Sequence, residues 1–290
     1  AAVPRLNAAV RLPDMRPGVE CLLADGEEQA RRFAEELDTI NRERRGIEQG
    51  MRDAAMLEVA RLRERDLPPA LCLHGEDWHE GVVGILASRV KESVHRPVIA
   101  FAPAREPGLL KGSGRSIPGL HLRDVLDAVA TANPALLHKF GGHAMAAGMT
   151  LRAADLPAFT EAFQAAVAAV AADDLFDEVV ETDGALEEAD LCLETAEMLS
   201  HRFPWGQGFP PPRFDGEFEV LDSRVVGERH LKLTLGLPGC GGVVDGIHFN
   251  ADLDQLGGRL RRVHGIYRLE VNDFRGRRNP QLLFEHLRPL

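Results

Sequence analysis

Two glycine-rich stretches decide the reading of this chain: Lys111-Gly112-Ser113-Gly114-Arg115-Ser116 and Phe140-Gly141-Gly142-His143-Ala144-Met145-Ala146-Ala147-Gly148. The first closes an apolar run just before a helical pattern. Its glycines free the backbone to present successive N–H groups to an anion, and Arg115 forks onto phosphate oxygens. Ser113 and Ser116 add hydroxyl donors. In the second stretch, Gly141 and Gly142 permit positive φ and a close approach of ligand to backbone. Ala146, Ala147 and Gly148 keep the neighbouring space small-sided, and His143 is placed to donate to a phosphate oxygen or a base. Each signal alone has a plain structural alternative, an ordinary Gly/Ser turn or a structural histidine. The G-x-x-x-x-G-K-[ST] spacing is absent, so nothing supports ATP hydrolysis.

Around these stretches, short apolar strands at 70–74, 97–101, 109–117 and 149–151 alternate with helical patterns at 80–92, 120–130 and 156–172. That alternation predicts an α/β domain over 70–172. Asp155 is expected to cap the last of these helices. Upstream, 25–69 is dense in Glu and Arg, with Phe33, Leu37, Ile40, Ile47, Met51 and Leu62 at three-, four- and seven-residue steps. One narrow apolar stripe predicts a long connecting helix that bridges domains rather than sitting in a core; Leu67-Pro68-Pro69 stops it. Downstream, alternating runs at 216–221, 230–235, 246–249, 263–271 and 281–286 predict a five-stranded β-barrel over 213–290. Trp205-Gly206-Gln207-Gly208-Phe209 and three prolines read as a rigid connection into it.

The formal charge of −11 argues at first against a nucleic-acid partner. Resolved along the chain, it does not. Residues 151–212 hold 13 acidic and 2 basic side chains, whereas 70–150 hold 7 and 8, with six of the eleven histidines. The excess belongs to one segment, 173–212 above all, which reads as a solvated acidic connection. Two other clusters merit reading. His74-Gly75-Glu76-Asp77-Trp78-His79-Glu80 is rich in ligand types but lacks H-x-x-x-H or HExxH spacing, so it predicts no metal site. Glu76 or Asp77 reads as capping a helix start, and His79 at the helix entrance is a candidate phosphate contact. Arg275-Gly276-Arg277-Arg278-Asn279, with Arg261 and Arg262 before the fourth strand and Tyr267, Phe274 and Phe284 near, reads as a basic, aromatic barrel surface for single-stranded nucleic acid. A charged hairpin tip is the plain alternative. No two-metal nuclease constellation and no G-x-S-x-G elbow occurs. The four cysteines lie far apart, without CxxC pairs, which suits a reducing, cytoplasmic setting. No apolar run approaches a membrane span, so no membrane partner is expected.

The two glycine-rich stretches resemble the DHH-associated domain of the DHH phosphoesterases. More narrowly, the chain resembles the C-terminal part of the RecJ family of 5′→3′ single-stranded-DNA exonucleases. Pro4-Arg5-Leu6-Asn7-Ala8-Ala9 is similar to the end of that family's catalytic DHH domain, here 1–24, with Val10 where the family usually has Gly. Asn41-Arg42-Glu43-Arg44-Arg45 resembles the interdomain helix, and Trp78-His79-Glu80-Gly81-Val82-Val83-Gly84-Ile85 the opening of the associated domain. Gly206-Gln207-Gly208-Phe209-Pro210, 226–233 and Tyr267-Arg268-Leu269-Glu270-Val271-Asn272 are similar to its oligonucleotide-binding barrel. The aspartate motifs and the Asp-His-His triplet are missing, and with Ala1 first the chain reads as a piece of a longer protein.

The resemblance implies a parent enzyme of DNA repair and recombination that hydrolyses phosphodiesters with Mn²⁺ or Mg²⁺ held by the other domain. This piece, inactive alone and binding no metal, would hold single-stranded DNA through Ser113, Gly114, Arg115, Ser116, Gly141, Gly142, His143 and His79. The barrel would contact the strand through Arg261, Arg262, Arg275, Arg277, Arg278 and Tyr267. Two alternatives stand beside this: a module docking single-strand-binding protein or a helicase, and part of an enzyme acting on short oligonucleotides or a cyclic dinucleotide.

Overall fold

The computed structural model describes the chain except residues 1–2, 12–14, 64–65, 173, 207, 228–229, 238–240, 250, 252–255, 257–259 and 275. It divides into two compact units, Ala1–Glu178 and Val179–Leu290.

The first unit opens with α1 (Val3–Arg11) and α2 (Arg16–Leu22), both packed on the 37-residue α3 (Glu27–Arg63). Pro4-Arg5-Leu6-Asn7 is thus helical, and Val10 sits on an exposed helix surface where no glycine conformation is required. The buried stripe of α3 is Phe33, Leu37, Asn41, Met51, Ala55 and Val59. Its C-terminal half is therefore core after all, because Met51, Ala55 and Val59 pack with Leu71, Leu73, Leu86 and Val90. Asn41, a buried polar residue in the stripe, accepts from Arg44, whose guanidinium also pairs with Glu48 at 2.6 Å.

The sheet of this unit has the order β1-β2-β3-β5-β4: β1 (Leu71–His74), β2 (Val98–Pro103), β3 (Leu109–Arg115), β4 (Lys139–Gly142) and β5 (Ala146–Arg152). Only β1 and β2 are parallel. One face is covered by α5 (Leu122–Ala132) and α6 (Leu156–Val170), over Ile99, Phe101, Met149 and Leu151. There Phe101 meets Phe159 edge-on at 5.8 Å and Phe159 stacks on Phe163 at 5.9 Å. On the opposite face α4 (Val83–Val94) lies over β2 and β3, and α3 packs with it in one cluster that includes Leu71 and Leu73 of β1 and Val98 and Ala100 of β2.

The alternation of β3 explains its glycines. Gly112 and Gly114 point into the core, where an added Cβ would lie 2.4 Å from the Phe101 ring and 2.8 Å from Leu122. Lys111, Ser113 and Arg115 consequently share the other face. Two local expectations fail. Helix α4 starts at Val83 rather than Glu80, and Val82 precedes it without a side-chain cap from Glu76 or Asp77. The Gly81 N–H instead donates to His79 Nδ1 at 3.0 Å, which holds a turn at the helix entrance. Asp155 does not cap α6; its carboxylate accepts from Arg152 Nε at 2.6 Å.

The second unit is a closed barrel of order β10-β8-β7-β6-β9. Its strands are β6 (Phe214–Val226), β7 (His230–Gly236), β8 (Val243–His248), β9 (Arg262–Phe274) and β10 (Arg277–Pro289). Closure comes from the parallel pairing of β8 with β10. Leu231, Leu233 and Leu235, Val263, Tyr267 and Leu269, and Leu282 and Phe284 fill it. Phe284 fits because Gly246 and Gly265 lack side chains; a Cβ there would stand 2.6 and 2.4 Å from its ring. The acidic segment at 173–212 is solvent-exposed along most of its described length but is anchored by a few apolar residues. Leu175 and Phe176 pack on the α/β core, whereas Leu191 and Ala196, the latter within α7 (Leu193–His201), are buried in the barrel core. Trp205 donates to the Leu199 carbonyl at 2.6 Å and lies against Phe203 and Phe209.

Candidate nucleic-acid interface

Because α4 packs on β2 and β3 and its first turn ends beside Ser113 and Arg115, the same sheet face is left open over β5, β4 and the adjoining side of β3. Register places its outward residues in rows: Ser113 beside Gly148 beside Gly141, and Lys111 beside Thr150 beside Lys139. A cavity of about 340 Å³ lies over these rows, walled by Glu80 and Val83 at the entrance to α4. Its floor is bare backbone. A Cβ on Gly141 would meet nothing within 4 Å, and one on Gly148 only the Gly112 carbonyl at 4.0 Å.

Arg115 is half-buried beside this cleft, and its Nη1 donates to Ser113 Oγ at 3.1 Å and to the Gly114 carbonyl at 2.8 Å. Its guanidinium passes over the first turn of α4 at Gly84, where an added Cβ would be 2.9 Å from Nη2. A hydroxyl, a guanidinium and the positive end of a twelve-residue helix thus converge on one open surface. Such a surface suits an anion approached closely by backbone, as a phosphate group is.

The residues expected from sequence separate into groups. Ser113 and Gly141 line the cleft and Arg115 adjoins it. Gly142 (φ +154°) shapes the turn between β4 and β5, where a Cβ would stand 2.4 Å from the Ala146 carbonyl. His143 sits exposed in this turn, its backbone N–H donating to the Ala146 carbonyl. The glycine pair is thus the end of an edge strand and not a free loop. Ser116 is 1% exposed, and its hydroxyl donates to the Leu120 carbonyl at 2.8 Å, which removes it from any phosphate-facing set. Gly114 is excluded likewise, since it faces Leu122. His79 is committed to the turn before α4. Gly148, read from sequence as keeping ligand space open, lines the cleft; Lys111, quoted there without a role, lines it too, and Lys139, Glu80 and Gly84 in its surroundings were missed. Period-two alternation from Ser113 was the available signal for Lys111.

On the barrel, Tyr267 is a core residue, 1% exposed between Phe218 and Phe284, and offers no stacking face. Arg262 pairs with Glu217 at 2.7 Å and Arg278 with Glu197 at 2.8 Å. The Arg261 carbonyl accepts from the Val220 N–H, Arg277 opens β10 opposite Phe274, and Arg275 lies outside the described residues. Of the other aromatics expected near the arginine turn, Phe284 is buried and Phe274 is exposed; further exposed rings are Phe249, and Phe203 and Phe209 beside Trp205.

Among the described residues, no group of three or more His, Cys, Asp or Glu is placed to hold a metal ion. No helix among them is long and apolar enough to cross a membrane.

A half-covered α/β sheet with a phosphate-suited cleft, in a chain that also carries a closed five-stranded barrel, defines the DHH-associated class. The DHHA1 domain matches residues 67–169 and the RecJ OB domain residues 182–286. The chain thus carries both domains and is similar along its whole length to RecJ proteins. It is 52% identical to the single-stranded-DNA-specific exonuclease RecJ of Dickeya dadantii over 290 residues, which is 99% of this chain and 50% of that protein. Against RecJ of Escherichia coli the identity is 48%, with the same coverage. Crystal structures of Thermus thermophilus RecJ in complex with Mg²⁺ and with Mn²⁺ each superpose with a TM-score of 0.76 at 28% identity. They cover 99% of this chain and, respectively, 42% and 40% of those chains. The chain therefore spans about half the length of the curated relatives it matches. Among the described residues no His, Cys, Asp or Glu cluster offers a ligand set for the Mg²⁺ or Mn²⁺ with which the Thermus thermophilus structures were solved.

Proposed function

We propose that this chain is the C-terminal, strand-holding half of a RecJ-type 5′→3′ single-stranded-DNA exonuclease, acting in DNA repair and recombination in the cytoplasm. Hydrolysis is assigned to the part of the relatives that this chain does not span, and the chain alone is inactive and binds no catalytic metal. Its role is positional. Ser113 and Arg115 donate to a backbone phosphate, the α4 N-terminus adds its field, and the floor at Gly141 and Gly148 admits the strand without a side-chain clash.

The observation that carries this reading is the shared outward face of Ser113 and Arg115 against the first turn of α4. The RecJ OB domain supports a polymer over a short or cyclic dinucleotide, since barrels of this type bind extended strand. Anisotropy of a labelled, 5′-phosphorylated oligonucleotide over a salt series, against an equal-length duplex, tests it. Preference for single strand with a steep salt dependence is expected. Equal binding of duplex, or none at low salt, would contradict it. A second reading, docking of single-strand-binding protein or a helicase, draws on the exposed Phe203 and Phe209 rings beside Trp205. Partner capture that survives Arg115→Ala but not Phe209→Ala would favour it.

A further inference from the structure

The cleft does not end at Ser113. A second cavity of about 440 Å³ adjoins it, lined by Ala104, Arg105, Glu106 and Leu109, and the two share Glu80, Lys111 and Thr150. At their junction the Glu80 carboxylate takes Lys111 Nζ at 3.0 Å on one oxygen and Arg105 Nε at 3.5 Å on the other. Two cations thus converge on one anion between the two halves of the trough, and that anion belongs to the protein.

The spacing along β3 gives this arrangement its meaning. Arg115, Ser113 and Lys111 alternate onto one face, so neighbouring members stand roughly 6.6 Å apart at about 3.3 Å per residue. That step is of the order separating successive phosphates in an extended single strand. We infer that Lys111, with Arg105, forms a second phosphate seat one nucleotide along from the Ser113–Arg115 seat, and that Glu80 occupies it as an internal stand-in until a strand displaces it. The inference rests on the function proposed above. It assigns a further stretch of strand to the cleft and a gating role to a carboxylate in an anion-binding trough. With no strand bound, Glu80 pairs with both cations and offsets one of their two charges; with one bound, a phosphate exchanges for the carboxylate.

The test is a salt series of anisotropy titrations with a 5′-phosphorylated oligothymidylate on the whole chain, with Lys111→Ala, Glu80→Gln and the double variant, each checked for an unchanged melting temperature. Lys111→Ala is expected to lower the slope of log K against log salt by about 0.7, one phosphate contact on a single strand. Between 50 and 200 mM salt its affinity then falls about 2.6-fold less than that of the parent. Glu80→Gln is expected to tighten binding, and that gain is expected to shrink in the Lys111→Ala background. An unchanged slope in Lys111→Ala, weaker binding in Glu80→Gln, or an equal gain in both backgrounds overturns the inference while leaving the Ser113–Arg115 seat standing. No binding by the parent chain overturns the functional reading, and this inference with it.

Discussion

A Cβ on Gly84 would stand 2.9 Å from Arg115 Nη2 and 3.0 Å from Ser113 Oγ, so the first turn of α4 and the outward row of β3 fit together through a missing side chain. The fit places a guanidinium against the first turn of a helix, at its positive end. It also makes Gly84 separable from stability, because both neighbours are side-chain ends that can yield.

Gly84→Ala is accordingly expected to leave the melting temperature unchanged or slightly raised, since alanine gains roughly 0.5–1 kcal/mol over glycine in a helix. Single-stranded DNA affinity is expected to drop roughly tenfold as the guanidinium is displaced from its charge-assisted contact. Thermal melts and anisotropy on the same preparation check both halves.

The two serines of the glycine-rich strand are expected to respond in opposite ways. Ser116→Ala leaves the Leu120 carbonyl without its donor and costs about 1–3 kcal/mol of stability, with strand affinity retained. Ser113→Ala leaves stability nearly intact, since its hydroxyl is part-exposed, and weakens binding. Denaturant unfolding beside the binding assay separates them.

Tyr267 was expected on the barrel surface and is instead part of its core, which gives a stability prediction. Burial pushes its phenol up from about 10 to about 12, and the Leu186 backbone hydrogen-bonds to it. Tyr267→Phe is expected to cost about 1–3 kcal/mol, and Tyr267→Ala about 3–5 kcal/mol, by analogy with large aromatic truncations. The neutral phenol is favoured by folding, so its contribution is complete below pH 10 and is lost as pH rises towards 12. Denaturant midpoints at pH 8, 10 and 11 should decline in the parent and decline less in Tyr267→Phe.

How far the sequence could be read depends on which forces acted locally. The long helix, the α/β alternation and all five barrel strands carry their own periodicity, and they are where it puts them, within a few residues. Strand β4 was invisible because Lys139-Phe140-Gly141-Gly142 has turn chemistry; pairing with β5 overrides it. The start of α4 shifted because His79 Nδ1 captures a backbone donor, a contact that no pattern encodes. Ser113 and Arg115 were legible as a chemical pair, whereas Gly114 and Ser116 were grouped with them by adjacency when the strand sends Gly114 the other way. Tyr267 was recoverable, since Val263, Gly265, Tyr267 and Leu269 share one parity and one buried face. The cleft itself was not, because it arises from where α4 stops on the sheet, with its first turn beside β3 and the face over β5 and β4 left open.

The thiols provide an independent check on the two units. Burial raises the Cys72 thiol to about 12, while a hydrogen bond with Thr195 lowers that of Cys192. Iodoacetamide at pH 8 is expected to alkylate Cys192 well before Cys72, because the thiolate is the reacting species. Peptide mass spectrometry over a time course reads the order, and early labelling of Cys72 would contradict the packing of β1 described here.

The claim on which the account rests is that strand phosphate lies in the half-covered sheet of the first unit. Hydrogen–deuterium exchange with and without a 5′-phosphorylated single-stranded oligonucleotide at low salt tests it most directly. Peptides covering 79–85, 109–116 and 139–148 are expected to gain protection on binding, and to lose that gain in Arg115→Ala. Binding that protects only barrel peptides, or leaves these three segments unchanged, would contradict it.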